Sequence, residues 1–121
     1  MNKPVFLAEM AYAALEEIKY YQRDIYIRQG DAYSVASEKA QAFIETLILG
    51  STESIASSLV TWGFDLDMAD RGISVKKWFD HATGYLCFFD DGGDEIAILY
   101  YASPKQDYIN ALYRILSIYL P

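Results

Sequence analysis

Three groups of side chains in this chain have types and spacings suited to chemistry. Asp65-x-Asp67-x-x-Asp70 brings three carboxylates close together, and hard divalent cations take carboxylate oxygens. Asp90-Asp91-Gly92-Gly93-Asp94-Glu95 gathers acids around two glycines, a second arrangement of that kind. His81 follows Asp80, a pairing that invites a test for acid–base work, and Cys87 supplies the one thiol.

Each group also has a plainer explanation. The calcium-loop pattern D-x-D-x-D-G is not met after Asp65, and no glutamate stands at its twelfth position. Carboxylates capping a short helical turn account for the same residues. The Asp90–Glu95 run has the composition of a hairpin tip, where glycine permits positive φ and charge stays in water. Adjacent strand residues point to opposite faces, so Asp80 gives His81 no useful geometry and a surface turn histidine is expected. Cys87 sits within Tyr-Leu-Cys-Phe-Phe, which has no positive charge to favour a thiolate and reads as a small buried hydrophobe. No catalytic residue, metal or cofactor is expected from these patterns.

The elements that must position these residues are legible from periodicity. Residues 73–79, 85–89 and 96–101 are short aromatic and β-branched runs divided by turn residues, predicting three antiparallel strands in a meander. Pro4 and a stripe of Leu7, Met10, Ala14, Ile18, Tyr21 and Ile25 predict a first helix over residues 4–28, stopped by Gly30-Asp31. Its outer side carries Glu16, Lys19 and Arg23, while Tyr12, Tyr20 and Tyr26 fall off the stripe. A second helix starts near Ser34 or Ser37 on Ala36, Ala40, Phe43 and Leu47 and ends at Gly50, the C′ position. Ser51 or Thr52 then caps a third helix carrying Ile55, Leu59 and Trp62, ended by Gly63. Residues 64–72 form an acidic loop or single turn. Ser103-Pro104-Lys105-Gln106 opens a C-terminal helix with a stripe of Tyr108, Leu112, Ile115, Leu116 and Tyr119. The fold class is α+β, with one domain over residues 1–121: three N-terminal helices, a three-stranded antiparallel meander and a C-terminal helix.

Composition narrows the functional classes. At 121 residues, 53% hydrophobic and 22% charged, the chain is globular and large enough for one core. No run approaches the roughly 18 apolar residues of a membrane span, and no signal peptide is expected. A single cysteine points to a reducing, cytoplasmic compartment. The net charge is −7, and residues 64–95 hold eight acids against Arg71, Lys76 and Lys77. That balance argues against nucleic acid and anionic membranes. A helix-turn-helix across Gly50 fails as well, because its second helix would carry no Arg or Lys to reach the duplex.

What remains is a surface for protein recognition. Eleven tyrosines, including the pairs Tyr20-Tyr21 and Tyr100-Tyr101, offer apolar area with polar tips. The acid excess fits a basic protein partner. The expectation is therefore a binding inhibitor of immunity-protein or antitoxin type, occluding a basic toxin such as a nuclease. Asp65, Asp67, Asp70, Asp90, Asp91 and Asp94 would supply charge, with Trp78 and Tyr101 as aromatic anchors. The alternatives are a homodimeric structural or regulatory module and, third, a small Mg²⁺-dependent carboxylate enzyme.

Overall fold

The chain opens with a strand. In the computed structural model, which describes residues 3–57, 66–104, 112–114 and 116, Val5–Leu7 forms strand β1 and Glu9–Arg28 forms helix α1. The helix predicted from residue 4 is overruled from far along the chain. Strand β1 pairs in parallel with strand β4 (Ile96–Ala102), Val5 lying opposite Ile96 and Leu7 opposite Ile98. The Ile96 N–H donates to the Pro4 carbonyl at 2.8 Å, and the Ala8 N–H to the Ile98 carbonyl at 2.9 Å. Ala8 stays extended and starts the helix immediately after the strand.

With its first turn spent on the sheet, α1 buries Ala11, Ala14, Leu15 and Ile18. The face is thus rotated from the expected stripe: Tyr21 is 46% exposed and Met10 and Ile25 are only half-buried. Gly30, at φ 108°, closes the turn after α1 in a backbone conformation that side chains resist.

Helix α2 covers Tyr33–Ala56 without a break, where two helices were expected. Its buried residues Ala36, Ala40, Ile44, Leu47, Ser51 and Ile55 keep one stripe running straight past Gly50. The Ser51 hydroxyl donates to the Leu47 carbonyl at 2.8 Å and that of Thr52 to the Ile48 carbonyl at 2.7 Å. Both hydroxyls are therefore satisfied inside the helix, and neither caps a new one. Ile55 belongs to α2, while Leu59, Trp62 and Gly63 lie outside the described residues.

Helix α3 (Leu66–Asp70) makes residues 64–72, expected as either an acidic loop or a single turn, helical over five residues. Gly72, at φ 82°, ends it: its N–H donates to Ala69 and that of Ile73 reaches back to Met68. That pair of bonds is the Schellman closure glycine permits. Strands β2 (Lys76–Phe79) and β3 (Leu86–Asp90) follow, both within predicted runs or one residue beyond. The sheet order is β1-β4-β3-β2, so the antiparallel meander is present with the parallel β1 added on its far edge. Between Phe88 and Phe89 the register shifts, and Leu99 is the extra residue on β4.

Strands β3 and β4 are buried nearly throughout, as runs apolar on both faces require. Trp78, Cys87 and Tyr101 stand in register across β2, β3 and β4. Gly50 and Ser51 of α2 meet the two ends of this row: Trp78 lies beside Gly50, and the Tyr101 hydroxyl bonds to Ser51. Of the predicted C-terminal helix, Leu112–Arg114 is helical, and Leu112 and Leu116 are fully buried. Gln106, Tyr108, Ile115 and Tyr119 lie outside the described residues.

Candidate interaction surface

The carboxylates of residues 64–95 divide by role. Asp80 accepts the Thr83 hydroxyl and the Ala82 N–H, holding the β2–β3 turn. Asp90 accepts the Gly92 N–H at 2.9 Å, an Asx-type closure of the β3–β4 tip. Asp91 pairs with Lys76 at 2.9 Å, and its carbonyl receives the Lys3 ammonium at 2.6 Å. Asp80 and Asp90 thus serve their own turns, and Asp91 ties the β3–β4 tip to β2 and to Lys3. Asp70 and Asp94 are exposed and, among the described residues, enter no ion pair. Asp67 falls in α3, and Asp65 lies outside the described residues. Among the described residues no group of three or more His, Cys, Asp or Glu side chains is placed to hold a metal ion, and no helix is long and apolar enough to cross a membrane.

The two expected aromatic anchors are core residues instead. Tyr101 is 0% exposed and Trp78 7%, because the row they share with Cys87 is the surface on which α2 packs. Neither presents itself to a partner. His81 is exposed in its turn, its ring edge-on to Phe79 with centroids 5.0 Å apart. Cys87 is fully enclosed, and burial pushes its thiol well above the ordinary range. That is the reverse of what a nucleophile needs.

A different surface gathers acids and aromatics together. With α1 rotated as described, its solvent side carries Tyr12, Glu16, Tyr20 and Asp24 at steps of four. Beside that ridge run Glu9, Glu17 and Tyr21. Residues four apart on a helix are neighbours, so tyrosines and carboxylates alternate along the first row, while the second runs Glu9, Ala13, Glu17 and Tyr21. Tyr12 is 59% exposed and Tyr20 44%. The Tyr20 hydroxyl donates to Glu16 at 3.0 Å, which raises its pKa above the ordinary tyrosine value.

The cations nearby are drawn down onto rings and acids. The Arg23 guanidinium lies 4.9 Å from the Tyr20 ring centroid and 5.2 Å from that of Tyr33, and donates to the Tyr33 hydroxyl at 3.2 Å. Its Nε is buried without a hydrogen-bond partner. Lys19 sits 3.8 Å from Glu16, and Lys39 sits 2.8 Å from Asp31 and 5.6 Å from the Tyr26 ring. Glu9 and Glu17 enter no ion pair among the described residues and stay free to face an incoming charge.

A cavity of about 340 Å³ opens next to this face. Ala14, Glu17, Ile18 and Tyr21 of α1 form one wall, and Tyr85, Tyr100, Tyr101 and Ser103 the other. Tyr85 is held from two sides: its hydroxyl accepts from Gln22 at 3.0 Å, and its ring meets Phe43 edge-on at 5.4 Å. Burial raises the Tyr85 pKa. The signal for the α1 ridge was present in the sequence, since Tyr12 and Tyr20 fall off the apolar stripe with Glu16 between them. The cavity had no such signal, because its walls are distant in the chain.

Comparison of the chain with models of protein families, with curated proteins and with solved structures finds no match.

Proposed function

We propose that this protein acts without catalysis, by binding a basic protein and occupying its working surface as an immunity protein or antitoxin does. The observation that carries this reading is the alternation of exposed tyrosines with carboxylates along the outer side of α1. Carboxylates steer a cationic partner into encounter, and tyrosines supply contact area at low entropic cost. The net charge of −7 favours the same kind of partner over nucleic acid. The docking face moves accordingly from residues 64–95, where the tip acids serve their own turns, to α1, with Asp70 and Asp94 left as peripheral charge.

The test is capture from the native cell extract at low salt, run in parallel with a Glu9→Lys/Glu16→Lys/Glu17→Lys variant and with Asp94→Lys. A basic protein retained by the wild type and by Asp94→Lys, released by salt and lost with the triple variant, is the expected result. Retention unchanged in the triple variant would overturn the assignment of the face. Retention that ignores salt would overturn the electrostatic basis.

A further inference from the structure

Strand β1 forms one edge of the sheet, and only one side of its backbone is in use. The Pro4 carbonyl and the Ala8 N–H bond to β4, and peptide groups along a strand alternate sides, so Phe6 also turns its N–H and C=O toward β4. Those of Val5 and Leu7 point away from the sheet, and no hydrogen bond joins them to another described residue. Val5, Phe6 and Leu7 include no charge and no proline, two of the features that keep edge strands apart. The edge strand at the other end, β2, opens with Lys76 and Lys77. Val5 and Leu7 are half-buried against the core, while Phe6, on the opposite face, is 45% exposed.

We propose that this edge pairs with β1 of a second copy of the chain, antiparallel and about a two-fold axis at Phe6. That axis sets Val5 opposite Leu7 of the other copy, and Leu7 opposite Val5, so every outward N–H and C=O of both strands finds a partner in four hydrogen bonds. A slip of one residue would set Val5 opposite Phe6, whose peptide groups are already bonded to β4. The two Phe6 rings meet across the axis as a cross-strand aromatic pair. The same register brings Lys3 of each copy toward Glu9 of the other, and Glu9 enters no ion pair among the described residues. The edge is thus self-complementary in backbone, rings and charge, although each chain carries −7. A strand from another protein would find the same backbone groups; a second copy also supplies the Lys3–Glu9 pairs and the second Phe6. Pairing three residues buries little beside a standard interface of about 1,600 Å², so the dimer is a micromolar one. Tyr12, Glu16 and Tyr20 take no part in it, and its test needs no other protein.

Sedimentation equilibrium of the full chain from about 5 to 500 µM should carry it from monomer to dimer. Over the same range the Val5 and Leu7 amides should gain protection from hydrogen exchange, while those of Phe6 and Ala8, bonded to β4, are protected throughout. Phe6→Lys sets two like charges face to face across the axis and should return the chain to monomer. Its thermal midpoint at the lowest concentration should match the wild type, since the side chain is exposed. Lys3→Glu should weaken the dimer several-fold, and Lys3→Glu/Glu9→Lys should restore it. A monomer at every concentration, a dimer indifferent to Phe6→Lys, or a double exchange that fails to rescue Lys3→Glu would overturn the proposal.

Discussion

The hydroxyls of Ser51 and Tyr101 meet at 2.7 Å, fifty residues apart in sequence, and tie the C-terminal part of α2 to the end of β4. The Ser51 proton goes to the carbonyls of its own helix, at 2.8 Å to Leu47 and 3.0 Å to Ile48, so Tyr101 is the donor across the gap. Both residues are 0% exposed. The two truncations are therefore unequal. Ser51→Ala leaves a buried phenol without its acceptor and should cost about 1–3 kcal/mol, whereas Tyr101→Phe leaves Ser51 bonded in its helix and should cost about 0.5–1.5 kcal/mol. Urea unfolding of both singles and the double variant measures the difference, and a larger loss for Tyr101→Phe would contradict the donor assignment.

Gly50 provides a prediction of sign. It lies inside α2 rather than at a helix end, and a Cβ there would meet only the far edge of Trp78 at 4.0 Å. Gly50→Ala should therefore stabilise the protein by about 0.5–1 kcal/mol through helix propensity. Gly84→Ala should do the opposite, because φ is +80° and a Cβ would stand 3.2 Å from Pro104. A destabilised Gly50→Ala by thermal melting would mean that the helix breaks there after all.

Alkaline pH should unfold the protein in a defined way. Burial raises the Cys87 thiol and the Tyr101 hydroxyl above their ordinary values of about 8.5 and 10. In the unfolded chain both ionise at those ordinary values, while the native state keeps its protons, so N binds more protons than U. Their stabilising contribution is complete below about pH 8.5 and is lost as pH rises further. Each group adds a slope of about 1.4 kcal/mol per pH unit once its unfolded form has ionised. Unfolding free energies between pH 7 and 11 should show this fall, and Tyr101→Phe should reduce the part that begins near pH 10, to which Tyr85 also contributes.

The same enclosure makes Cys87 a reporter of opening. Alkylation by iodoacetamide at neutral pH should be far slower than for a free thiol and should accelerate in urea along the unfolding transition. Fast labelling of the native protein would show that the row beneath α2 is open to solvent.

Much of this architecture is local and was readable as such. Gly30 after α1, the tip from Asp90 to Asp94 and the three meander strands follow from side chains that set their own backbone. The sheet pairing of Val5–Leu7 was not readable, because its partner Ile96 lies across the whole chain. Nor was the passage of α2 through Gly50-Ser51: short-range signals favour a cap there, and the buried Trp78–Cys87–Tyr101 row outweighs them. The candidate site divides in the same way. Amino-acid order alone determined that tyrosines and acids alternate at helical spacing near the N-terminus. Only tertiary structure decided that Tyr21 joins them at the surface, because β1 takes up the first residues and turns α1, and that packing α1 on β4 leaves a cavity beside them.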